Sequence, residues 1–103
     1  MTTAETGTWH ATALSPQDNV GVLLQPVASG ETVRVKSAGG IVEIHATEAI
    51  ALCHKIALAD LAPGDPVIKY GECIGEATAA IPRGGWVHIH NVRSRRGRAP
   101  QTP

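Results

Sequence analysis

The stretch ETVRVKSAGGIVEIHA, residues 31–46, carries the clearest fold signal in the chain. Its two halves, 32–37 and 41–46, alternate apolar and polar residues, and SAGG separates them. Because side chains of a β-strand alternate between its two faces, this pattern predicts two short strands. Each strand is expected to have one face exposed to water.

Comparable β-branched runs lie on both sides of this stretch, and turns rich in Gly and Pro separate them. The runs are VGVLLQPV (20–27), DPVIKYG (65–71) and WVHIHNV (86–92). Short apolar runs bounded by such turns are typical of β-proteins. The most helix-like segment, TEAIALCHKIALADL at 47–61, favours at most a short helical turn. The sequence therefore predicts a mostly β, compact fold of short strands with little helix.

Two stretches share one pattern, LLQPVASGETV at 23–33 and ALADLAPGDPV at 57–67. Both pass from an apolar segment through a small turn and an acidic residue into a second apolar segment. We interpret them as two similar hairpin-like corners, although ordinary turn chemistry would produce the same pattern.

Length and composition limit the class of protein. The 103 residues suffice for one domain, and nine basic residues balance nine acidic ones. The net charge therefore gives no reason to expect a nucleic acid or a membrane as partner. The start MTTAETGTWH lacks the pattern of a signal peptide, and no apolar run is long enough to span a membrane, so we expect a cytoplasmic protein. Cys53 and Cys73 are expected to be buried, unreactive thiols.

The chain divides into three predicted parts. Residues 1–9 form a flexible N-terminus, residues 10–92 the β domain, and residues 93–103 a basic flexible tail. The tail RSRRGRAPQTP contains no aromatic residue among its arginines, which argues against nucleic-acid binding. Docking on an acidic surface of a partner, or solubility, explains it better.

His88 and His90 form the most distinctive polar pair of the sequence. On a β-strand they would share one face, with their imidazoles about 6–7 Å apart. Such a pair is able to contact a metal or an anionic ligand, but it also suits a solvated face. His10 and His45 are expected to be surface residues.

Five ordered blocks resemble the small amino-terminal SAF-type domain of the altronate/galactarate dehydratase family, which also includes sulfolactate sulfo-lyase. The resemblance covers roughly residues 10–92. The blocks are Asp18-Asn19-Val20, His54-Lys55-Ile56-Ala57, Ile68-Lys69-Tyr70-Gly71, Ile74-Gly75 with Ala77-Thr78, and Val87-His88-Ile89-His90-Asn91.

The resemblance implies a β-clip (SAF-like) fold and a lyase that eliminates a β-substituent from a small hydroxy acid. It implies a small subunit, active only with a separate large catalytic subunit, and a homo-oligomer is possible. Elimination of water from a sugar acid is the leading reaction. Release of sulfite from (2R)-sulfolactate and a non-catalytic SAF ligand-binding module are the alternatives. A divalent metal, iron(II), is the expected cofactor, with most ligands supplied by the large subunit.

Such an elimination needs a base, a group that stabilises the enediolate, and help for the departing β-hydroxyl. Within the resembling blocks, His54, Lys55, Lys69 and Tyr70 are the catalytic candidates. The alternative for His54 and Lys55 is a solvated turn, and for Tyr70 it is ring packing in the core.

The same blocks supply the candidates for binding. Asn91, together with Lys55, is the candidate for substrate binding. His88 and His90 are the candidate metal ligands, although two histidines do not complete a first-row metal site.

Overall fold

The computed structural model of the protein describes residues 9–94, which form nine strands and no helix. This confirms the mostly β, SAF-like fold. Within the described residues no helix has the length and apolar character to cross a membrane. The strands are β1 Ala11–Ala13, β2 Val20–Leu23, β3 Thr32–Ser37, β4 Gly40–His45, β5 Lys55–Ala57, β6 Pro66–Lys69, β7 Glu72–Ala77, β8 Trp86–Val87 and β9 Val92–Arg93.

The strands form two sheets. One has six strands in the order β4-β3-β1-β2-β5-β8, and the other has three in the order β6-β7-β9. All neighbours are antiparallel except β1 and β3, which are parallel. Because the short β1 lies between β2 and β3, the sheet order departs from the order along the chain.

The predicted alternation holds in β3, where Val33 and Val35 are buried while Arg34 and Lys36 lie on the other face. It fails in β4, where only Ile44 is buried. β4 is an edge strand, so nothing in the described part of the chain covers its outer positions. The expectation of a single wet face per strand was therefore wrong for β4.

Two apolar cores lie on the two faces of the larger sheet. Since successive strand residues face opposite ways, β2 and β5 contribute buried residues to both cores. The first core contains Ala11, Ala13, Leu23, Val27, Val33, Val35, Ile44, Ala46, Ile50 and Ile56. The second, against the smaller sheet, contains Val20, Ala57, Leu61, Val67, Ala77, Ile81 and Val87.

The two predicted corners share one hydrogen-bond pattern, but they are not hairpins, because β2 does not pair with β3 and β5 lies in a different sheet from β6. At the first, the Gly30 amide donates to the Ala46 carbonyl, and the Ala46 amide donates to the Glu31 carbonyl. Gly30 has a positive φ, as this tight corner requires. A third corner, not predicted, repeats the pattern. At the second corner, the Gly64 amide donates to the Ala77 carbonyl, and the Ala77 amide donates to the Asp65 carbonyl. At the third, the Gly84 amide donates to the Ala57 carbonyl, and the Ala57 amide donates to the Gly85 carbonyl.

The acidic residue of each predicted corner closes its turn. Glu31 accepts a hydrogen bond from the Ala28 amide, and Asp65 accepts one from the Ala62 amide, each at 2.8 Å. The third corner has Gly85 at this position, which explains why the sequence pattern does not show it.

Asp18 and Asn19 connect the β1–β2 loop to the smaller sheet. The Asn19 amide donates to the Pro66 carbonyl at 2.8 Å and accepts from the Ile68 amide at 2.7 Å. Asp18 accepts from the Gly71 amide at 2.7 Å. These bonds fix the β6–β7 hairpin against the larger sheet.

The described residues extend slightly beyond the predicted domain at 10–92. At its start, the Lys36 ammonium lies 4.5 Å from the Trp9 ring centroid. At its end, Arg93 belongs to β9 and pairs with Glu76 at 2.8 Å, so the predicted tail begins too early. The remainder of both predicted termini lies outside the described residues.

Candidate functional site

The segment around His88 is a turn and not the predicted strand. β8 ends at Val87, and the Asn91 amide donates to the His88 carbonyl at 3.1 Å. The side chain of Asn91 accepts from the His88 amide at 2.9 Å and donates to the Trp86 carbonyl at 2.8 Å. An Asn side chain that binds nearby backbone groups competes with strand pairing. The prediction that His88 and His90 share a strand face was therefore wrong.

The turn instead gathers His54, Trp86, His88 and His90, which we call the imidazole cluster. The rings of His54 and His88 stack with centroids 4.3 Å apart. Trp86 lies 5.5 Å from His88 and 4.5 Å from His90. The closest pair of imidazoles is thus His54 with His88, from segments far apart in the sequence.

Trp86 also holds His54 by a hydrogen bond, since its indole Nε1 donates to His54 Nδ1 at 2.9 Å. The two side chains border an open recess of about 400 Å³. Its other lining residues are Pro26, Val27, Ala49, Ile50 and Ala51. The imidazole cluster therefore lies beside a mostly apolar depression.

Within the described residues, His88 Nδ1 is buried and has no hydrogen-bond partner. Burial lowers the pKa of His88 below its ordinary 6.5, and positive charge on His54, Lys55 and His90 lowers it further. The ring is therefore biased towards its neutral form.

A second group, Thr12, Lys55, Lys69 and Tyr70, forms what we call the lysine–tyrosine cluster. Thr12 pairs with Val22 on β2, and Val22 pairs with Lys55 on β5, so the three form one row across the sheet. Residues in such a row project from the same face. The Tyr70 hydroxyl lies 2.7 Å from Thr12 Oγ1, which places the β6–β7 hairpin over this row.

The two lysines influence each other. Burial lowers the pKa of Lys55 from its ordinary 10.5, and the charge of Lys69 lowers it further. The Lys69 ammonium lies 5.8 Å from the Tyr70 ring centroid. A bound anion interacts favourably with such a partly buried pair of positive charges, because it offsets their mutual repulsion.

Tyr70 occupies the turn of the hairpin together with Gly71, and both have positive φ values of 52° and 81°. This geometry is that of a tight two-residue hairpin turn. The Tyr70 side chain is 45% exposed. The alternative in which its ring packs in the core was therefore wrong.

The two clusters start from opposite faces of the larger sheet, but they are close enough for positive charge on Lys55 to act on His88. Trp86 packs against the first core, whereas Val87, the neighbour of Lys55 across the strands, belongs to the second. His54 and Lys55 are adjacent in sequence, but they belong to different clusters. Both the oxygen and the nitrogen of the Asn91 side chain form hydrogen bonds within the turn. A role of Asn91 in substrate binding would therefore be additional to this structural role.

A resident metal site does not arise from these residues alone. Within 9–94 no group of three His, Cys, Asp or Glu side chains lies close enough to hold a metal ion. His88 and His90 would need ligands from elsewhere, and the buried Nδ1 of His88 leaves only its Nε2 for a ligand.

The cysteines and remaining histidines differ in part from expectation. Cys53 is exposed and has a φ of 73°, and Cys73 is half-buried, so the expectation of two buried thiols was wrong. His45 is exposed as expected. His10 is half-buried, and its Nδ1 accepts from the Arg34 amide at 2.9 Å.

Sequence reasoning missed Trp86 and Thr12 as members of the two clusters. Trp86 stands two positions before His88, and an aromatic residue beside a histidine pair was the available signal. Thr12 carries no such signal, because its contact with Tyr70 joins residues 58 positions apart.

This small all-β domain, with cationic and imidazole side chains on both sides of β5, is of the class of SAF domains found in lyases. Residues 9–95 match the family described as altronate/galactarate dehydratase SAF domain, and the chain belongs to that family.

Its relatives include long and short proteins. The chain is 43% identical over 77 residues to altronate dehydratase of Escherichia coli K12, covering 75% of this chain and 15% of that protein. Altronate dehydratase of Bacillus subtilis is 37% identical over 78 residues, which are 76% of this chain and 15% of that protein. The alpha subunit of (2R)-sulfolactate sulfo-lyase of Chromohalobacter salexigens is 35% identical over 82 residues, 77% of this chain and 87% of the subunit. The chain thus spans a small part of the dehydratases and most of the sulfo-lyase subunit.

Proposed function

We propose that this chain is the small subunit of a metal-dependent lyase that eliminates water from a sugar acid and acts with a separate large subunit in the cytoplasm. The observation that carries the proposal is the position of two lysines and three histidines around the β5–β8 strand pair, within a SAF domain of dehydratase type. The 43% identity to altronate dehydratase supports water as the leaving group.

The lysine–tyrosine cluster suits binding of the substrate carboxylate. Lys55 and Lys69 offer two ammonium groups, and the Tyr70 hydroxyl is a further hydrogen-bond donor or acceptor. Burial lowers the pKa of Lys55 and the charge of Lys69 lowers it further, and an anion between the two lysines relieves their mutual repulsion. Positive charge near the carboxylate also makes the neighbouring C–H proton easier to remove, because it stabilises the enediolate.

The imidazole cluster suits hydrogen bonding to the reacting oxygens. The stacked rings of His54 and His88 carry nitrogens that form hydrogen bonds, and His90 is exposed beside them. Asn91 holds the turn that presents His88 and His90 in place.

These two groups leave the elimination incomplete. We infer that the large subunit supplies the remaining groups, including most ligands of a divalent metal, iron(II), to which His88 and His90 would add imidazole nitrogens. The small hydroxy acid would then bind between the subunits.

A second candidate reaction is the release of sulfite from (2R)-sulfolactate. The specific observation in its favour is the extent of the match, since the chain covers 87% of the sulfo-lyase alpha subunit from Chromohalobacter salexigens. Sulfolactate carries a sulfonate besides its carboxylate, and two lysines would serve both anions.

Reconstitution tests the proposal. The purified chain is expected to turn over no hydroxy acid by itself, and activity is expected after mixing with a large subunit of the dehydratase family and iron(II). Dehydration is measured with altronate and galactarate, and sulfite release with sulfolactate. The large subunit alone is the control.

Each outcome is informative. Dehydration by the assembled pair supports the leading reaction, and sulfite release replaces it with the second candidate. Turnover by the isolated chain contradicts the subunit assignment. Substrate binding without any turnover, in every combination, would identify a non-catalytic binding module instead.

A further inference from the structure

The hydrogen bond between Trp86 and His54 determines which nitrogen of His54 carries a proton. An indole N–H donates and never accepts, whereas each ring nitrogen of a neutral imidazole does one or the other. Trp86 Nε1 lies 2.9 Å from His54 Nδ1. Because Nδ1 has to accept, neutral His54 carries its proton on Nε2.

The backbone holds both partners of this hydrogen bond. The Trp86 amide donates to the Glu48 carboxylate at 3.1 Å, and the Trp86 carbonyl accepts from the Asn91 side chain at 2.8 Å. The His54 amide donates to the Ala51 carbonyl at 3.1 Å, and the His54 carbonyl accepts from the Leu23 amide at 2.9 Å. The two rings therefore have little freedom to separate.

The other ring nitrogen of His54, Nε2, has no hydrogen-bond partner among the described residues. Its Nδ1 makes the only side-chain hydrogen bond of His54 within residues 9–94. His54 and Trp86 are both lining residues of the recess of about 400 Å³. A donor whose tautomer is already fixed thus lies at the rim of a depression.

We propose that Trp86 is a positioning residue that fixes His54 as a neutral hydrogen-bond donor through Nε2–H. The identity of the acceptor rests on the proposed function, in which His54 would donate to the oxyanion that develops on the hydroxy acid. No proton is transferred in this role, because a neutral imidazole that only donates a hydrogen bond keeps its proton. His54 is then neither the base nor a metal ligand through Nε2.

The tautomer is measurable on the isolated chain, whatever the enzyme does. In the ¹⁵N-labelled protein, at a pH above the ordinary pKa of imidazole, we expect a through-hydrogen-bond coupling between the Trp86 indole nitrogen and His54 Nδ1. We also expect the nitrogen shifts of His54 to show one tautomer, protonated at Nε2. A protonated Nδ1, or the absence of the coupling, would overturn the inference.

Trp86→Phe separates the N–H from the ring packing. In this variant His54 is expected to become a mixture of tautomers, while exposed His45, which contacts Thr32 instead, keeps its wild-type spectrum. An unchanged His54 spectrum in the variant contradicts the role of Trp86. If the variant does not fold, the coupling in the wild-type protein still decides the question.

Variants of His54 test the consequence for turnover in the assembled enzyme. Gln at this position is able to accept from Trp86 with its oxygen and donate with its nitrogen, whereas Leu does neither. We expect His54→Leu to lose about 10²–10³ in kcat and His54→Gln to retain much of it. Equal losses in both variants would refute the donor role. An inactive wild-type assembly would refute the proposed function but leave the tautomer result intact.

Discussion

The imidazole cluster and the lysine–tyrosine cluster start from adjacent residues, His54 and Lys55, but they are held in different ways. The imidazole cluster follows a corner in which Gly84 and Gly85 are buried and crowded by backbone atoms. The lysine–tyrosine cluster extends over an exposed two-residue turn at Tyr70 and Gly71.

This difference indicates a division of labour. Groups that donate hydrogen bonds to a reacting oxygen need exact placement, which backbone crowding and ring stacking provide. Ammonium groups on flexible stems act over longer distances and tolerate adjustment. We therefore expect changes at the glycine corner before the imidazole cluster to reduce stability, changes to its rings to reduce rate, and changes around the lysines to alter affinity.

The largest effect is expected from Gly84→Ala. An added Cβ at Gly84 would collide with the His45 carbonyl oxygen, and its φ of +90° strains any residue with a side chain. We expect a loss of about 3–6 kcal/mol in the free energy of unfolding, measured by urea denaturation.

Gly71→Ala is the matched control in the other cluster. Its φ is +81°, but the nearest atom to an added Cβ is the Ser15 hydroxyl at 3.2 Å, which is able to rotate away. A loss of about 1–2 kcal/mol is expected from the strain alone. Equal losses at both glycines would show that the two turns do not differ in crowding.

The double variant His88→Ala with His90→Ala is expected to reduce the turnover of the assembled enzyme by about 10²–10³. The free energy of unfolding should change by less than about 1 kcal/mol, because neither side chain is in an apolar core. Lys55→Ala with Lys69→Ala should instead mainly raise KM. His45→Ala, outside both clusters, is the control, and unchanged turnover of the histidine variant would retire its assignment to the site.

Asn91→Ala and Asn19→Ala compare the side-chain amides that hold the two clusters. Each amide makes two hydrogen bonds to backbone groups, Asn91 within the turn and Asn19 between the sheets. A loss of about 1–3 kcal/mol is expected for each, measured by thermal unfolding. Only Asn91→Ala should shift the NMR signals of His88, and only Asn19→Ala those of Tyr70. Shifts spreading to both clusters would show that they are coupled.

The smallest effect is expected in the pH dependence of stability. The pKa of Lys55 is lowered in the folded state, so the unfolded chain binds more protons between that value and 10.5. Stability should therefore rise with pH through this window and fall as the pH decreases through it. Lys55→Met keeps the apolar stem and should flatten this part of the profile, measured by urea midpoints at a series of pH values. An identical slope in the variant would contradict the burial of the Lys55 ammonium.

Local patterns predicted the fold better than the site. The alternation in ETVRVKS located β3 because strand periodicity depends only on neighbouring residues. The corners at 23–33 and 57–67 were visible because each keeps an acidic residue that closes the turn. The third corner escaped because Gly85 occupies that position.

The site depends on contacts that the sequence does not display. The period of two that placed His88 and His90 together failed because the Asn91 amide binds the backbone of its own turn. The pairing of His54 with Trp86 joins residues 32 positions apart, and only the packing of β5 against β8 creates it. The sequence named most members of both clusters but could not show that they start from opposite faces.

The sheet order also determines when the larger sheet can be completed during synthesis on the ribosome. β1 lies between β2 and β3, and β8 completes the far edge only after residue 87 has been made. Distant strands have to find each other before the sheet closes, and such topologies fold slowly. Nascent chains that end before β8 would lack Trp86 and the turn after it. The imidazole cluster is therefore completed late, and a chain truncated before β8 would lack it.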